Sequence, residues 1–341
     1  MARVGSEQPW TESQVWREAT AIPDVLAEIV DADAMGESDV VRLLRPARRL
    51  VATGNGAAYY AALALWAAAL ERPGEGPEVV AVPAGLLATG QIRWRAGDVP
   101  LVFSSSGELR DVVGLAPDGL PPYALITATP DSTLARHAQA VTVVPVRTQD
   151  AITHTQAYTG NVLAGLLAWG RAAGSALDLR DVPAVVHDNL RAARTWVDAL
   201  NLPIRTPAGI VFGSGGGWPA ALETALLLKE IASLPTEGME TREGATSGMY
   251  ALGDAHLAVS LPTRDDALIN ETEQICARTG ATVIRVPGGE NHPATLAPIT
   301  TFPAALALAT ALGTAAGRNV DDPDWTAAYY ATARTTGEVS A

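Results

Sequence analysis

Short runs of continuously apolar residues alternate with longer helical patterns along the whole chain. An unbroken apolar run is typical of a strand in a parallel sheet that helices cover on both faces. In the first half, the predicted strands are Arg49–Thr53, Glu78–Val82, Leu101–Ser104, Tyr123–Thr127 and Val141–Val146, and the clearest helical segments are Ala57–Leu70 and Thr155–Ala173. This half therefore predicts an α/β fold built on a parallel sheet.

A second series of the same kind begins near residue 207. Its predicted strands are Gly209–Gly213, His256–Leu261 and Thr282–Val286, and its predicted helices are Pro219–Ser233, Asp265–Thr279 and Phe302–Ala316. Each series opens with a strand, a glycine-rich turn and a helix, at Gly54-Asn-Gly56 and at Gly213-Ser-Gly-Gly-Gly217. We therefore expect two related α/β units in tandem.

The expected domain boundaries lie in the segments outside these series. Glu12–Val41 is helical in pattern with an interruption at Pro23, and the helical stretch Val182–Leu200 is followed by two prolines within Asn201–Pro207. We expect an N-terminal helical segment at residues 1–41, a first domain at 42–200, and a second domain at 201–341 that includes a C-terminal tail.

Composition and charge narrow the function classes. The chain of 341 residues has a formal net charge of −13 and no run of Lys and Arg, so we expect no nucleic-acid partner. The first ten residues lack an apolar signal core, and no stretch approaches the roughly 18 apolar residues of a transmembrane helix. We therefore expect no membrane segment and a cytoplasmic location. Cys276 is the single cysteine, which excludes an intramolecular disulfide, and we expect a packed or partly exposed thiol within a helix rather than a nucleophile.

The most informative polar cluster follows the third predicted strand, where Ser104, Ser105, Ser106 and Gly107 precede helix-compatible residues. Three consecutive serines suit neither a buried strand nor a helix interior, because their hydroxyls compete for backbone hydrogen bonds. At the carboxyl end of a parallel strand, hydroxyls and N–H groups can hold an anionic or polyhydroxylated ligand. The same residues also fit an ordinary serine-rich turn, so their spacing leaves both interpretations open.

Other site motifs are incomplete or absent from the sequence. Gly213-Ser-Gly-Gly-Gly217 supplies the first two glycines of the dinucleotide pattern GxGxxG, but Trp218 stands at the last position. The chain contains no GxxxxGK[ST] phosphate loop, no GxSxG nucleophile elbow and no HxxxH metal spacing. We therefore expect neither a metal ion nor a redox cofactor.

The order of several motifs resembles a known family. They run Thr53-Gly-Asn-Gly-Ala-Ala-Tyr-Tyr60, Ser104-Ser-Ser-Gly-Glu108, Ile126–Ala138, Thr153-His-Thr-Gln-Ala-Tyr-Thr159 and Ala221-Leu-Glu-Thr-Ala-Leu-Leu-Leu-Lys-Glu-Ile231, between matching ends at Glu18–Pro23 and Asn319–Asp324. This series resembles the double sugar-isomerase (SIS) family, which includes the isomerase half of glucosamine-6-phosphate synthase, sugar-phosphate deaminases and fructosamine-phosphate deglycases. The resemblance covers nearly the whole chain. It implies two tandem SIS-type (flavodoxin-like) units, each a parallel sheet flanked by helices. No glutaminase domain precedes the first unit, so release of ammonia from glutamine is not expected.

The resemblance also implies the site residues. The residues expected to bind the substrate are Gly54, Asn55, Ser104, Ser105, Ser106, His154 and Thr155. Glu230, in the Lys229-Glu230 pair, is expected to move a proton between C1 and C2, and such a base needs a raised pKa. Glu223 lies seven residues earlier on a similar helix face and is expected to support the structure.

The chain departs from the family pattern at several positions. Leu109 replaces a hydroxyl residue that usually caps the phosphate, and Asn55 replaces another in the first glycine turn. Thr246 or Ser247 stands near the place of a ring-opening histidine, and Ala327-Ala-Tyr-Tyr330 has no counterpart of a C-terminal lysine. Whether the substrate carries a phosphate therefore stays open.

Two function classes follow from these patterns. One is an enzyme that acts on an amino sugar, a sugar phosphate or a sugar–amine adduct, as an aldose–ketose isomerase, a deaminase or a deglycase. A variant of it is an isomerase of a non-phosphorylated substrate in specialised metabolism. The other class is a non-catalytic sugar-phosphate-binding protein, which the missing histidine and lysine favour. The family's active site lies near a subunit interface, so a homodimer is expected.

Overall fold

The protein was analysed as a computed structural model, which describes residues 9–116, 119–175, 177–203, 206–323, 325, 326 and 328. Its strands are β1 (Arg49–Gly54), β2 (Glu78–Pro83), β3 (Asp98–Phe103), β4 (Ala124–Thr127), β5 (Ala140–Val143), β6 (Gly209–Gly213), β7 (Thr236–Glu240), β8 (Leu257–Ser260) and β9 (Thr282–Arg285). Its helices are α1 (Gln14–Ala19), α2 (Ile22–Ala34), α3 (Asp39–Leu44), α4 (Ala57–Leu70), α5 (Ala84–Ala88), α6 (Arg110–Val113), α7 (Thr133–His137), α8 (Thr155–Ala173), α9 (Val182–Asp198), α10 (Gly217–Ala232), α11 (Thr241–Thr246), α12 (Ile269–Arg278), α13 (Ala297–Thr300) and α14 (Phe302–Ala315).

The predicted strands are all present, with ends that move by up to three residues. One further strand, β7, was not predicted, because Thr236-Glu-Gly-Met-Glu240 is mostly polar and contains a glycine. It lies at the edge of its sheet, where such a composition is tolerated. The expected interruption of the N-terminal helical stretch is present, at Thr20 and Ala21 between α1 and α2. Pro23 lies in the first turn of α2, where a missing backbone N–H costs nothing.

The described residues form two compact units. The first-sheet unit contains residues 24–147 and 156–180, together with 325, 326 and 328. The second-sheet unit contains residues 9–23, 148–155 and 181–323. This division differs from the expected boundaries at 41 and 200. Helix α9 groups with the second sheet because it packs on α14, and the short segment 148–155 joins the same unit.

The first sheet is entirely parallel, with the strand order β2-β1-β3-β4-β5. This is the flavodoxin-like order, in which ligands bind beyond the carboxyl ends of β1 and β3. Helix α4 packs against β1 and β2. On α8, Gly165 approaches Phe103 of β3 so closely that a Cβ there would lie 2.9 Å from the ring. Apolar burial of this kind is the main favourable contribution to the stability of such a unit.

The second sheet is also parallel and has the order β7-β6-β8-β9. Helix α10 packs against β6 and β7 on one side and against α14 on the other. Residues Phe302–Gly313 of α14 are all buried, so this Ala- and Leu-rich helix is the centre of the unit's core.

Two further expectations concern the Cys276 thiol and the absence of a membrane segment. Cys276 is buried, and burial raises the pKa of its thiol to about 11, which confirms a packed thiol. Among the described residues, no single helix is long and apolar enough to cross a membrane. A bent pair, Ala294–Thr300 with Phe302–Ala315, reaches that length and hydropathy only when taken together.

Candidate active site

The carboxyl edge of the first sheet carries the predicted glycine turn and serine loop. Gly54 ends β1 and Ser104 directly follows β3, so both segments border the crevice at which the strand order reverses. The structure thus brings Gly54, Asn55 and the three serines to one edge of the first-sheet unit.

The glycine turn is shaped by close contact with helix α4. A Cβ on Gly54 would lie 2.6 Å from the backbone carbon of Ala58, so Gly54 lets the helix start directly against the strand. Asn55 is exposed, and its Nδ2 donates to Oδ2 of Asp111 at 3.1 Å. Asp111 therefore lies at the same edge, although sequence reasoning did not select it.

The serine loop is closed by its own hydrogen bonds. Ser104 Oγ accepts from the N–H of Gly107 at 3.1 Å, and Ser106 Oγ accepts from the N–H of Glu108 at 3.2 Å. The carbonyl of Ser105 accepts from the hydroxyls of Thr127 and Thr129, each at 3.1 Å. Ser104 is buried, whereas Ser105 and Ser106 are half-buried. The loop is thus an ordered turn whose two serine hydroxyls act as acceptors towards the backbone.

The residues after this loop have structural roles. Glu108 Oε1 accepts from the N–H of Thr133 at 2.6 Å and so caps the start of α7. Leu109 packs against an apolar cluster that includes Val112, Tyr123 and Leu134. The Leu109 side chain is therefore partly buried against the core of the first-sheet unit.

The glycine-rich turn after β6, at the corresponding edge of the second sheet, lies close to other segments of its unit. A Cβ on Gly216, in the turn after β6, would lie 2.0 Å from the carbonyl oxygen of Ala294. A Cβ on Gly217 would lie 3.4 Å from Cγ2 of Thr263 in the loop after β8. The glycines of this turn therefore permit close packing of the backbone against neighbouring loops.

Glu230 lies near the end of α10 in the second-sheet unit, and its side chain is half-buried. Burial raises the pKa of Glu230 to about 7, while a hydrogen bond from Thr153 and the charge of Lys229 act in the opposite direction. The Thr153 hydroxyl donates to Glu230 Oε2 at 3.3 Å. A carboxylate with a pKa near neutrality can both accept and release a proton at physiological pH.

Glu223 lies two turns earlier on the same helix and is more deeply buried, with 4% of its surface exposed. Its Oε2 atom has no hydrogen-bond partner among the described residues. Burial and the negative charge of Glu230 raise the pKa of Glu223 well above its usual range. Both effects favour the protonated form of Glu223, whereas Glu230 is the carboxyl group whose pKa lies near neutrality.

The segment of residues 148–155 carries His154 and Thr155 and belongs to the second-sheet unit. His154 is half-buried, and Thr155 is buried at the start of α8. Glu18 of α1 fixes this segment, since its Oε1 accepts from the N–H groups of Asp150 and Ala151 at 2.9 and 3.1 Å. The structure thus groups His154 and Thr155 with Glu230 in one unit.

Two further places were expected to lack a histidine and a lysine of the SIS pattern, at Thr246 or Ser247 and at Ala327–Tyr330. Thr246 and Ser247 are exposed, and their hydroxyls bond to carbonyl oxygens one turn earlier, those of Arg242 and Glu243. Ala327, Tyr329 and Tyr330 lie outside the described residues. Within the described part of the chain, no three His, Cys, Asp or Glu side chains are grouped to hold a metal ion.

Sequence reasoning missed three residues that contact predicted site residues or the segment that carries them, namely Thr153, Glu18 and Asp111. Thr153 and Glu18 each open one of the motifs that resemble the SIS family, but their hydrogen-bond partners are 77 and 132 positions away. No local periodicity reports a contact over that distance. Asp111 was within reach of a pattern argument, because it follows the serine loop at the carboxyl edge of the sheet.

Comparisons with known proteins agree with this architecture. No protein-family model matches the chain. Over 278 residues the sequence is 27% identical to an isomerizing glutamine–fructose-6-phosphate aminotransferase of Arabidopsis thaliana, covering 75% of this chain and 40% of that protein. Over 229 residues it is 28% identical to the enzyme of the same description in Bradyrhizobium diazoefficiens, covering 61% and 37%. The chain therefore spans less than half the length of these relatives.

Solved structures show the same fold over almost the whole chain. The C-terminal domain of the glucosamine-fructose-6-phosphate aminotransferase of Francisella tularensis matches with a TM-score of 0.80 at 16% identity, covering 91% of this chain and 98% of that one. Glucosamine-6-phosphate deaminase of Thermotoga maritima matches with a TM-score of 0.77 at 19% identity, covering 92% and 98%. The chain has their fold. The expectation of two helix-flanked parallel sheets is thereby confirmed.

Proposed function

We propose that this chain is a member of the SIS family with two tandem units, and an enzyme that moves a proton between C1 and C2 of an amino sugar, a sugar phosphate or a sugar–amine adduct. The observation that carries this proposal is Glu230, a half-buried carboxyl group whose pKa burial raises to about 7. It stands in the Lys-Glu pair of the motif that the family uses for this proton transfer. Relatives named as fructose-6-phosphate aminotransferases support a sugar-phosphate ligand.

In the proposed mechanism, ionised Glu230 removes the proton from C1 or C2 of the open-chain sugar. The electron pair forms the double bond of an enediol or enolamine as the carbonyl or imine group takes up a proton. The neighbouring hydroxyl or amine then releases a proton, and protonated Glu230 returns its own proton to the neighbouring carbon. The raised pKa of Glu223 favours its protonated form, which adds no second negative charge beside the base. Isomerase, deaminase and deglycase reactions share this step. The serine loop, Gly54, Asn55, His154 and Thr155 are proposed to bind the substrate, in a cytoplasmic homodimer that uses no cofactor.

Solvent deuterium tests the proposed reaction. The chain is incubated in D₂O with glucose 6-phosphate, glucosamine 6-phosphate or fructosamine 6-phosphate, and separately with the unphosphorylated form of each. NMR then measures the deuterium incorporated at C1 and C2. We expect incorporation for at least one sugar and a loss of about 10²–10⁴-fold in Glu230→Gln. Glu237→Gln, which changes an exposed carboxylate of the same unit, serves as the control and should keep the wild-type rate.

Two observations favour a second candidate, an isomerase of a non-phosphorylated sugar. Leu109 packs into an apolar cluster instead of presenting a hydroxyl, and the Asn55 amide is bound to the Asp111 carboxylate. Crystals soaked with a hexose 6-phosphate or with sulfate distinguish the two, because an empty Ser104–Ser106 loop at millimolar ligand contradicts phosphate recognition. A sugar that binds tightly but exchanges no deuterium contradicts both enzymes and supports a non-catalytic binding protein.

A further inference from the structure

One hydroxyl group connects the segment of residues 148–155 to the carboxyl group of helix α10. Thr153 Oγ1 donates to Glu230 Oε2 at 3.3 Å, which is long for a hydrogen bond between oxygen atoms. Thr153 is 5% exposed, so bulk water has little access to the donor side of this contact. Both residues belong to the second-sheet unit.

Backbone hydrogen bonds on both sides of Thr153 determine its position. Glu18 accepts the N–H groups of Asp150 and Ala151, and the N–H of Thr155 donates to the carbonyl of Thr153 at 3.0 Å. The residue is thus held between an anchored turn and the first residue of α8. Because backbone hydrogen bonds fix the chain before and after Thr153, its backbone holds the hydroxyl group next to the Glu230 carboxylate.

Several charged groups lie on Glu230's own helix and on the elements that pack against it. Glu223 and Lys229 are on α10, Asp150 and His154 are on the segment, and Glu237 and Glu240 are on β7. Strand β6 and helices α13 and α14 carry no titratable side chain. Thr153 differs from all of these groups because it is a neutral donor whose effect on the carboxylate does not change with pH.

We propose that Thr153 is a positioning residue for Glu230, whose hydroxyl holds Oε2 of the carboxylate and favours its ionised form. The catalytic part of this role rests on the proposed function. A glutamate side chain has three rotatable bonds, so a fixed donor reduces the orientations open to the base before the sugar binds. A hydrogen bond to the charged form also makes the base available at lower pH than burial alone allows.

Two kinds of substitution separate the hydroxyl from the packing of the side chain. Thr153→Val keeps the shape and removes the donor, and Thr153→Ser keeps the donor and removes a methyl group. Infrared difference spectroscopy of the full chain titrates the Glu230 carboxyl group without any substrate, and Glu230→Gln identifies its band. We expect the midpoint to rise by about half a pH unit to one pH unit in Thr153→Val and to return towards the wild-type value in Thr153→Ser.

The deuterium exchange reaction supplies the second measurement. Its acidic limb should move to higher pH in Thr153→Val by the same amount and be restored in Thr153→Ser, which a purely structural role does not produce. An unchanged Glu230 titration in Thr153→Val overturns the proposal, and Thr153→Ala is the second donor-free variant if the valine variant does not fold. If the titration moves but no variant exchanges deuterium, the Thr153–Glu230 contact is supported and the proposed enzymatic function fails.

Discussion

Oε1 of Glu18 accepts the backbone N–H of Asp150 at 2.9 Å, although 132 positions separate the two residues. The same oxygen accepts from the N–H of Ala151 at 3.1 Å and from Nε2 of Gln14 at 3.0 Å. Glu18 is 6% exposed, so water cannot easily replace it. The first helix of the second-sheet unit therefore fixes the segment that carries Thr153, and one buried carboxylate makes the connection.

Removal of this carboxylate should destabilise the unit. In Glu18→Ala two backbone N–H groups lose their acceptor, and we expect the free energy of unfolding to fall by about 2–4 kcal/mol. Urea denaturation measures the change. Glu237→Ala removes an exposed carboxylate of the same unit and should stay within about 0.5 kcal/mol of wild type. Equal effects of the two substitutions contradict the role of Glu18 as an anchor.

Glu223 should make stability depend on pH. Because its pKa is raised in the folded protein, the folded chain keeps a proton that the unfolded chain releases above about pH 4.3. Its contribution to stability is complete below that pH and is lost as the pH rises through the folded pKa. The loss approaches about 1.4 kcal/mol for each pH unit. Glu230 adds a similar loss up to about pH 7, where its own pKa lies.

Glu223→Gln removes one of these two titrations. We expect the free energy of unfolding to depend less steeply on pH in this variant above about pH 4.3, by up to about 1.4 kcal/mol per pH unit over the range in which folded Glu223 keeps its proton. Urea denaturation at pH 5, 6 and 7 gives the slopes, with Glu237→Gln as the control. Parallel slopes for wild type and Glu223→Gln would show that Glu223 is ionised in the folded protein.

The fold was more accessible from the sequence than the site was. Periodicity predicted both ends of α4 and α8 and of strand β6, because buried strands and Ala-rich helices have an unmistakable apolar pattern. It missed β7, whose polar edge residues resemble a loop. The order of motifs led to Glu230 as a base, whereas Thr153 came to light only through its contact with that carboxylate. Such contacts depend on how distant segments pack, which local patterns do not encode.

Leu109 offers a test of the substrate class. Its side chain packs on an apolar cluster, and as the residue before α6 it makes no capping hydrogen bond. Leu109→Thr returns a hydroxyl to the serine loop, and we expect hexose 6-phosphate to bind a few-fold more tightly as one donor is gained. Calorimetry with a hexose 6-phosphate and the same hexose without phosphate measures the difference. An equal change for both sugars contradicts a phosphate site at this loop.

Gly107 should be the least replaceable residue of the serine loop. Its φ is +62°, and a Cβ would lie 1.9 Å from Oγ of Ser132, the hydroxyl that caps α7. Gly107→Ala combines left-handed backbone strain with overpacking, and we expect it to lower the free energy of unfolding by about 2–5 kcal/mol. Gly114→Ala is the matched control, because the nearest atom to its Cβ is 3.7 Å away, and it should change stability by less than about 0.5 kcal/mol.

Sugar binding distinguishes a loss of ligand affinity in Gly107→Ala from a loss of stability. If the serine loop holds the ligand, the displaced loop should bind sugar at least ten-fold more weakly even where the protein remains folded, because a 1.4 kcal/mol loss of contacts suffices for that change. Calorimetry at a temperature well below the unfolding transition measures the affinity, and Gly114→Ala should retain it. A folded Gly107→Ala protein with wild-type affinity would place the ligand elsewhere than at Ser104–Ser106.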